Sequence, residues 1–330
     1  MPNKTYGQAV KLGVKKEAVR GTAEATADFW IPTTDRDIDE KQEFIQDESS
    51  YGILEGPAGQ SVSKQWCEGQ ITAPITDKLF GVILLNLFGS VNSVANADTS
   101  ATVKDHTFSV LQSAQHPSLT LFIDDPASGQ DYKYALGMLE SMDINYEQGK
   151  FVEYVAKFRA KKGAVAAQTP ATVVENRFTA NHVTFKVAAN LAGLAAGNAM
   201  NIKSFKLSIK KALEDDYVLG SKEPVDYLVK SFNVDGTFDA FWASEADYKT
   251  TFMANTPQAF RIDLLNGDTV IGTSAHPQLT IDMALVYFTE LTRAFKNGNV
   301  ITQTLGFKAM YSLTDSKMLT AKLTNTQASY

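Results

Sequence analysis

The chain has 330 residues, 44% of them hydrophobic, with 31 basic against 37 acidic side chains and a formal net charge of −6. That composition suffices for packed cores and excludes a disordered chain, and an acidic chain is poorly suited to gripping a phosphate backbone. The single cysteine, Cys67, excludes an intrachain disulfide and a thiolate metal cluster. The opening residues lack the apolar run of a signal peptide, and no stretch reaches the roughly 18 apolar residues of a membrane helix, so synthesis in a cytoplasm is expected.

In chain order, residues 1–27 are rich in small and polar residues and read as an N-terminal arm. An acidic stretch follows: Asp35, Asp37, Asp39, Glu40, Glu43, Asp47, Glu48 and Glu55 stand against only Arg36 and Lys41. Residues 65–72 read as a strand that holds Cys67 as a small buried side chain. Thr76-Asp77 is placed to cap a helix over 78–88, with Leu79, Phe80, Ile83, Leu84 and Leu87 packed on a sheet. The turn around Asp124 and Asp125 is polar. Met142, Ile144 and Tyr146 alternate before the turn Glu147-Gln148-Gly149-Lys150, and Val152, Tyr154, Ala156, Phe158 and Ala160 alternate after it, which makes a hairpin. Residues 163–181 read as a connector, and 188–200 fit a short helix or a loop. Phe205, Leu207 and Ile209 mark a strand, and Ser244-Glu245 can cap a second helix over 246–253. Asn266-Gly267 is a hairpin turn, and residues 311–330 read as a C-terminal arm.

The chain repeats itself. Residues 109–121 (SVLQSAQHPSLTL) and 269–281 (TVIGTSAHPQLTI) align without a gap, with Val110/Val270, His116/His276, Pro117/Pro277, Leu119/Leu279 and Thr120/Thr280 identical. Residues 151–161 align with 300–310 at an offset of 149 rather than 160, so the first copy carries 11 extra residues around Asp124–Asp131. Upstream, Gly69-Gln70-Ile71-Thr72-Ala73 aligns with Gly236-Thr237-Phe238-Asp239-Ala240. Two tandem β domains are therefore expected, 1–165 and 166–330, each with one short helix.

No catalytic or cofactor constellation stands out. His106, His116, His182 and His276 lack metal-ligand spacing, and the pre-proline position of His116 and His276 suits an extended residue at a strand entrance. Neither a nucleophile elbow nor a phosphate-binding loop occurs. A carbohydrate-binding module would cluster its tryptophans, whereas Trp30, Trp66 and Trp242 are scattered. No enzyme activity, cofactor or metal is expected.

The order of several segments resembles the tail tube proteins of long-tailed bacteriophages along nearly the whole chain. They are Lys16-Glu17-Ala18-Val19-Arg20-Gly21-Thr22-Ala23, Phe29-Trp30-Ile31-Pro32, Glu43 through Ser49, Trp66 through Pro74, Leu79 through Gly89 and Ala135 through Arg159. In the second half they are Ser204 through Ile209, Tyr217 through Ser221 and Phe238 through Phe241. The resemblance implies a mainly β fold of two tandem tail-tube-type sandwich or barrel domains. It implies a structural virion protein that stacks as rings, with an inner wall of continuous β-barrel through which DNA passes at infection without specific binding. Its partners would be further copies of itself and the tail tip, tape measure and terminator proteins, with no membrane. Single-copy relatives form hexameric rings, so a two-copy chain is expected to reach that geometry as a trimer; a β-sandwich decorating virion protein or a carbohydrate-binding module is the alternative. The arms and the acidic stretch would bridge rings.

Interface candidates follow: Asp35, Asp37, Asp39, Glu43, Asp47 and Glu48 of the acidic stretch, and Asp124 and Asp125. Residues 149–163 carry Lys150, Lys157, Arg159, Lys161 and Lys162 against Glu153. Because basic groups facing DNA favour retention, Lys157, Arg159 and Lys161 are expected to point away from the bore, paired with acids of a neighbour's 35–55 stretch.

Overall fold

The computed structural model describes residues 6–127, 129–242, 248–295, 297–298 and 300–330. Strands dominate. The first half holds β1 (Lys11–Lys16), β2 (Phe29–Ile31), β3 (Asp35–Gln46), β4 (Gln60–Pro74), helix α1 (Phe80–Phe88), β5 (Gly89–Ala95), β6 (Lys104–Val110), β7 (Leu119–Asp124), β8 (Tyr132–Glu147), β9 (Glu153–Ala160) and β10 (Ala164–Val165). The second holds β11 (Val183–Ala188), β12 (Asn198–Ala199), β13 (Ile202–Asp216), β14 (Asp226–Phe241), helix α2 (Lys249–Met253), β15 (Gln258–Leu265), β16 (Gln278–Ala294), β17 (Thr302–Met310) and β18 (Leu319–Asn325).

A small sheet runs β2-β1-β7-β8-β10, using the first half of β8. The second half of β8 bends into a long sheet that runs β3-β4-β9-β8-β13-β14-β17-β16. At the other end β16 pairs with β15 and β18 through its first half, and the order continues through β18 to β6 and β5. Alternation fixes which face is buried. Tyr154, Ala156 and Phe158 of β9 and Leu305, Phe307 and Ala309 of β17 all enter one core that spans both halves, while Lys157 and Lys308 stay in water.

All nine residues of α1 are buried, which suits a helix wedged beneath the long sheet, and it ends at Gly89 with φ +88. The expected cap is corrected. The helix starts at Phe80 rather than 78, and Asp77 turns away to accept from Asn176. Glu175 of the connector takes the capping role, accepting from the amides of Lys78 (3.0 Å) and Leu79 (3.1 Å). Helix α2 is Lys249–Met253; the expected caps Ser244 and Glu245 lie outside the described residues. Residues 191–196 form a 3-10 turn.

Among the described residues neither terminal segment is a free arm, contrary to the sequence reading. Strand β1 lies between β2 and β7 with Leu12 and Val14 buried. Strand β18 lies between β6 and β16, burying Leu319, Ala321 and Leu323, so it ties the first half to the second. The terminal Tyr330 donates its hydroxyl to the Lys78 carbonyl (2.6 Å) and covers Gly81, where a Cβ would come within 2.1 Å of the ring.

Candidate functional site

The two halves meet where β8 pairs with β13, from Ser141↔Lys210 to Glu147↔Ser204, with Met142, Ile144, Leu207 and Ile209 on the buried side. On either side of this junction the chain builds the same four-stranded unit. In the first, β3-β4-β9-β8, Ile38 faces Gly69, Gly69 faces Phe158, and Met142 faces Ala156. In the second, β13-β14-β17-β16, Leu207 faces Gly236, Gly236 faces Phe307, and Leu291 faces Leu305.

The irregularities coincide as well. The β8–β9 register shifts between Leu139 and Ser141, and the β16–β17 register between Phe288 and Glu290. The β3–β4 register shifts between Glu43 and Phe44, and the β13–β14 register between Ala212 and Leu213. Position 140 thus corresponds to 289, both offset by the 149 that relates the aligned hairpins. Bulges set local twist, so both units curve alike.

One polar latch supports the junction. Arg20 donates to Asp226 and to the Tyr227 carbonyl (2.7 Å) in the second half, and to the His116 carbonyl in the first. Glu17 accepts from the amides of Gly21 (2.6 Å) and Leu136 (2.7 Å) and from the Ser118 and Thr120 hydroxyls. Lys211 of β13 is fully buried and donates to the Asn86 carbonyl of α1 (2.6 Å); burial pushes its pKa well below the usual lysine value. The latch was not legible in the sequence, because its partners lie about 100 to 200 residues apart.

The interface candidates fall in three places. Asp35, Asp37, Asp39 and Glu43 lie on β3, an outer strand that pairs only with β4 among the described residues, and Asp47 and Glu48 begin the tip of that hairpin. Asp47 accepts from Tyr51 (2.6 Å) and the Ser49 amide, which hold its carboxyl down to about 2. Asp124 and Asp125 lie apart, at the β7–β8 loop. Asp124 is raised by partial burial and by Asp131 and meets Lys11 at 3.9 Å, while Asp125 accepts from the Ala127 amide.

Lys157 and Arg159 stand on the open face of the long sheet, in cross-strand rows Asp37–Gln70–Lys157 and Asp39–Glu68–Arg159. The acids that share their rows therefore belong to the same chain. Arg159 also holds Asp215 (2.8 Å) and Glu140 (3.5 Å). Lys161 lies just beyond β9, its ammonium beside Gly21.

His116 is buried, with Nε2 on the Leu111 carbonyl (3.0 Å), and burial and Lys211 lower its pKa to about 4. His276 holds the Thr269 carbonyl through Nδ1 (2.7 Å). Each ring anchors its own preceding loop, the strand-entrance role read from the sequence. Cys67 is buried in β4. Among the described residues no group of three or more His, Cys, Asp or Glu is placed to hold a metal ion, and no helix is long and apolar enough to cross a membrane.

Among the described residues the long sheet is thus open, with the outer side of β3 and the second half of β16 unpaired and its two four-stranded units matched in register. Comparison with curated proteins gives no match. The family model described as phage tail tube protein matches residues 7–309, so the chain belongs to the phage tail tube protein family, the structural subunits that self-assemble into the stacked rings of the virion tail.

Proposed function

We propose that three copies of this chain close into one ring and that the open face of the long sheet lines the bore of the tube. The observation that carries this is the β8–β13 junction: one chain already contains two matched four-stranded units joined edge to edge. Six units come from three chains, which gives a pseudo-six-fold wall. The two halves, 1–165 and 166–330, are then two copies of one tail-tube unit.

In this reading the wall is polar and acidic. Asp35, Asp37, Asp143, Asp235, Asp239 and Glu290 share the open face with Lys157, Lys206, Lys210 and Lys308. Lys157 and Arg159 then stand on the wall, rather than away from it as the sequence led us to expect, each offset by acids in its own row. DNA passes such a wall without a strong counterion-release term for retention. The tail tip, tape measure and terminator proteins are the partners at the tube's ends and lumen, assembly takes place in the host cytoplasm, and the chain carries out no catalysis.

Electron microscopy of the purified protein, with averaging of end-on views, tests this. Rings of three chains with six similar lobes are expected. Six whole chains per ring would overturn the stoichiometry, and a stable monomer that never forms rings or tubes would overturn the assembly itself.

A further inference from the structure

The long sheet leaves its two end strands open, among the described residues: the outer side of β3 and the side of β16 not taken by β17, from Tyr287 to Ala294. By the matched registers, β3 corresponds to β13 and the second half of β16 corresponds to that of β8. The partners of these open strands' counterparts are visible inside the chain, because β8 and β13 pair there. We infer that β16 of one chain pairs antiparallel with β3 of a second copy, in the register that the internal β8–β13 junction dictates. This rests on the ring reading above and deepens it to single residues.

The register follows by transfer. Asp143↔Ser208 becomes Thr292↔Asp39, Met142↔Ile209 becomes Leu291↔Glu40, Ile144↔Leu207 becomes Arg293↔Ile38, and Ser141↔Lys210 becomes Glu290↔Lys41. One transferred pair is chemically matched: Glu290 comes directly opposite Lys41 on the open face, a contact that favours this register over one slipped by two residues, which would set Glu290 against Asp39 or Glu43, while Arg293 comes opposite Ile38 with Glu40 on one diagonal and Arg36 on the other. The acidic β3 thereby gains a function the sequence alone could not give it: it is an edge whose charges discourage pairing with a second β3 and whose register selects β16.

The two seams are not equivalent. Inside the chain, Lys211 is buried through the junction onto α1; at the transferred position β3 carries Gln42, which is exposed in the single chain. The internal junction also has the Arg20 latch. The seam between chains is therefore the weaker one and opens first.

Paired cysteines test the register. Directly opposite residues have Cα atoms within disulfide reach, whereas a diagonal pair two residues out stands about 7–8 Å apart, beyond it. Native Cys67 does not compete, because it is buried and its thiol is pushed up to about 12. The variant Asp39→Cys/Thr292→Cys is oxidised after assembly and run on a non-reducing gel, beside Asp37→Cys/Thr292→Cys as the slipped control. Asp39 and Thr292 are exposed, so folding is unaffected. We expect most of the Asp39/Thr292 variant in covalent oligomers, with a closed species of three chains and at least tenfold less cross-linking in the control. Tubes that form normally yet cross-link equally in both variants, or in neither, would overturn the seam while leaving tube assembly standing. Absence of rings and tubes from wild-type protein would overturn both.

Discussion

Lys211 shows how far single residues were legible. The alternation of Leu207 and Ile209 already points position 211 inward, yet nothing in the sequence says that its ammonium ends on the Asn86 carbonyl. A lysine whose pKa is depressed in the fold binds its proton more tightly when unfolded. Stability therefore rises with pH until the unfolded value, about 10.4, is reached. Lys211→Met should flatten that rise between pH 7 and 10, read as urea midpoints across the range; an unchanged slope would mean that Lys211 is charged in the fold. His116 gives the acid-side counterpart. Its pKa of about 4 lies below the usual 6.5, so the unfolded chain takes up a proton that the fold refuses, and stability falls as pH drops through that window. His116→Gln should remove part of this loss and leave stability above pH 7 governed only by the lost Leu111 contact.

At the scale of elements, the repeat located the paired hairpins because both copies keep the same alternation. The termini were misread because they lie outside the repeat, although Leu319, Ala321 and Leu323 carry the two-residue period of a half-buried strand. Deletion of residues 315–330 would strip β6 and β16 of a shared partner and uncover α1, so the truncated chain should be insoluble on expression. Tyr330→Ala isolates one part of that: it leaves the strand, loses the hydrogen bond to the Lys78 carbonyl and opens a cavity over Gly81. A loss of about 3 kcal/mol is expected from chemical denaturation. The β3–β4 hairpin behaves oppositely. Its tip presents Tyr51, Ile53 and Leu54 to solvent, Leu54 completely, and the core draws nothing from it. Replacing residues 48–58 with Asn-Gly should leave the melting temperature of the single chain within a few degrees but stop rings from stacking; full-length tubes from that variant would show that the tip does not bridge rings.

For the whole molecule, the class of fold was legible because period-two alternation and turn residues are local signals, and the family resemblance rested on the order of many such segments. The joining of the two halves was not, since sheet order depends on contacts far apart in the chain. Sheet order decides which charges share a face and, where that face lines the bore as proposed, what the bore does to DNA. Reading residues 149–163 alone gives a basic stripe; in the folded chain Lys157 and Lys210 share their open face with Asp37, Asp143 and Asp235, and Lys210 reaches Asp235 at 3.4 Å. Exposed pairs of this kind contribute about 0–1 kcal/mol each to stability, so their consequence is electrostatic rather than structural. If this face lines the bore as proposed, a wall whose cations stand among acids releases few counterions from DNA, and each added phosphate contact would steepen the dependence of binding on log salt by about 0.9. Wild-type tubes should therefore fail to co-sediment duplex DNA at low salt. Asp143→Lys/Asp235→Lys tubes, checked for normal assembly by microscopy, should retain it below about 50 mM salt and release it as salt rises. Retention by wild-type tubes equal to that of the variant would place another surface of the subunit on the bore.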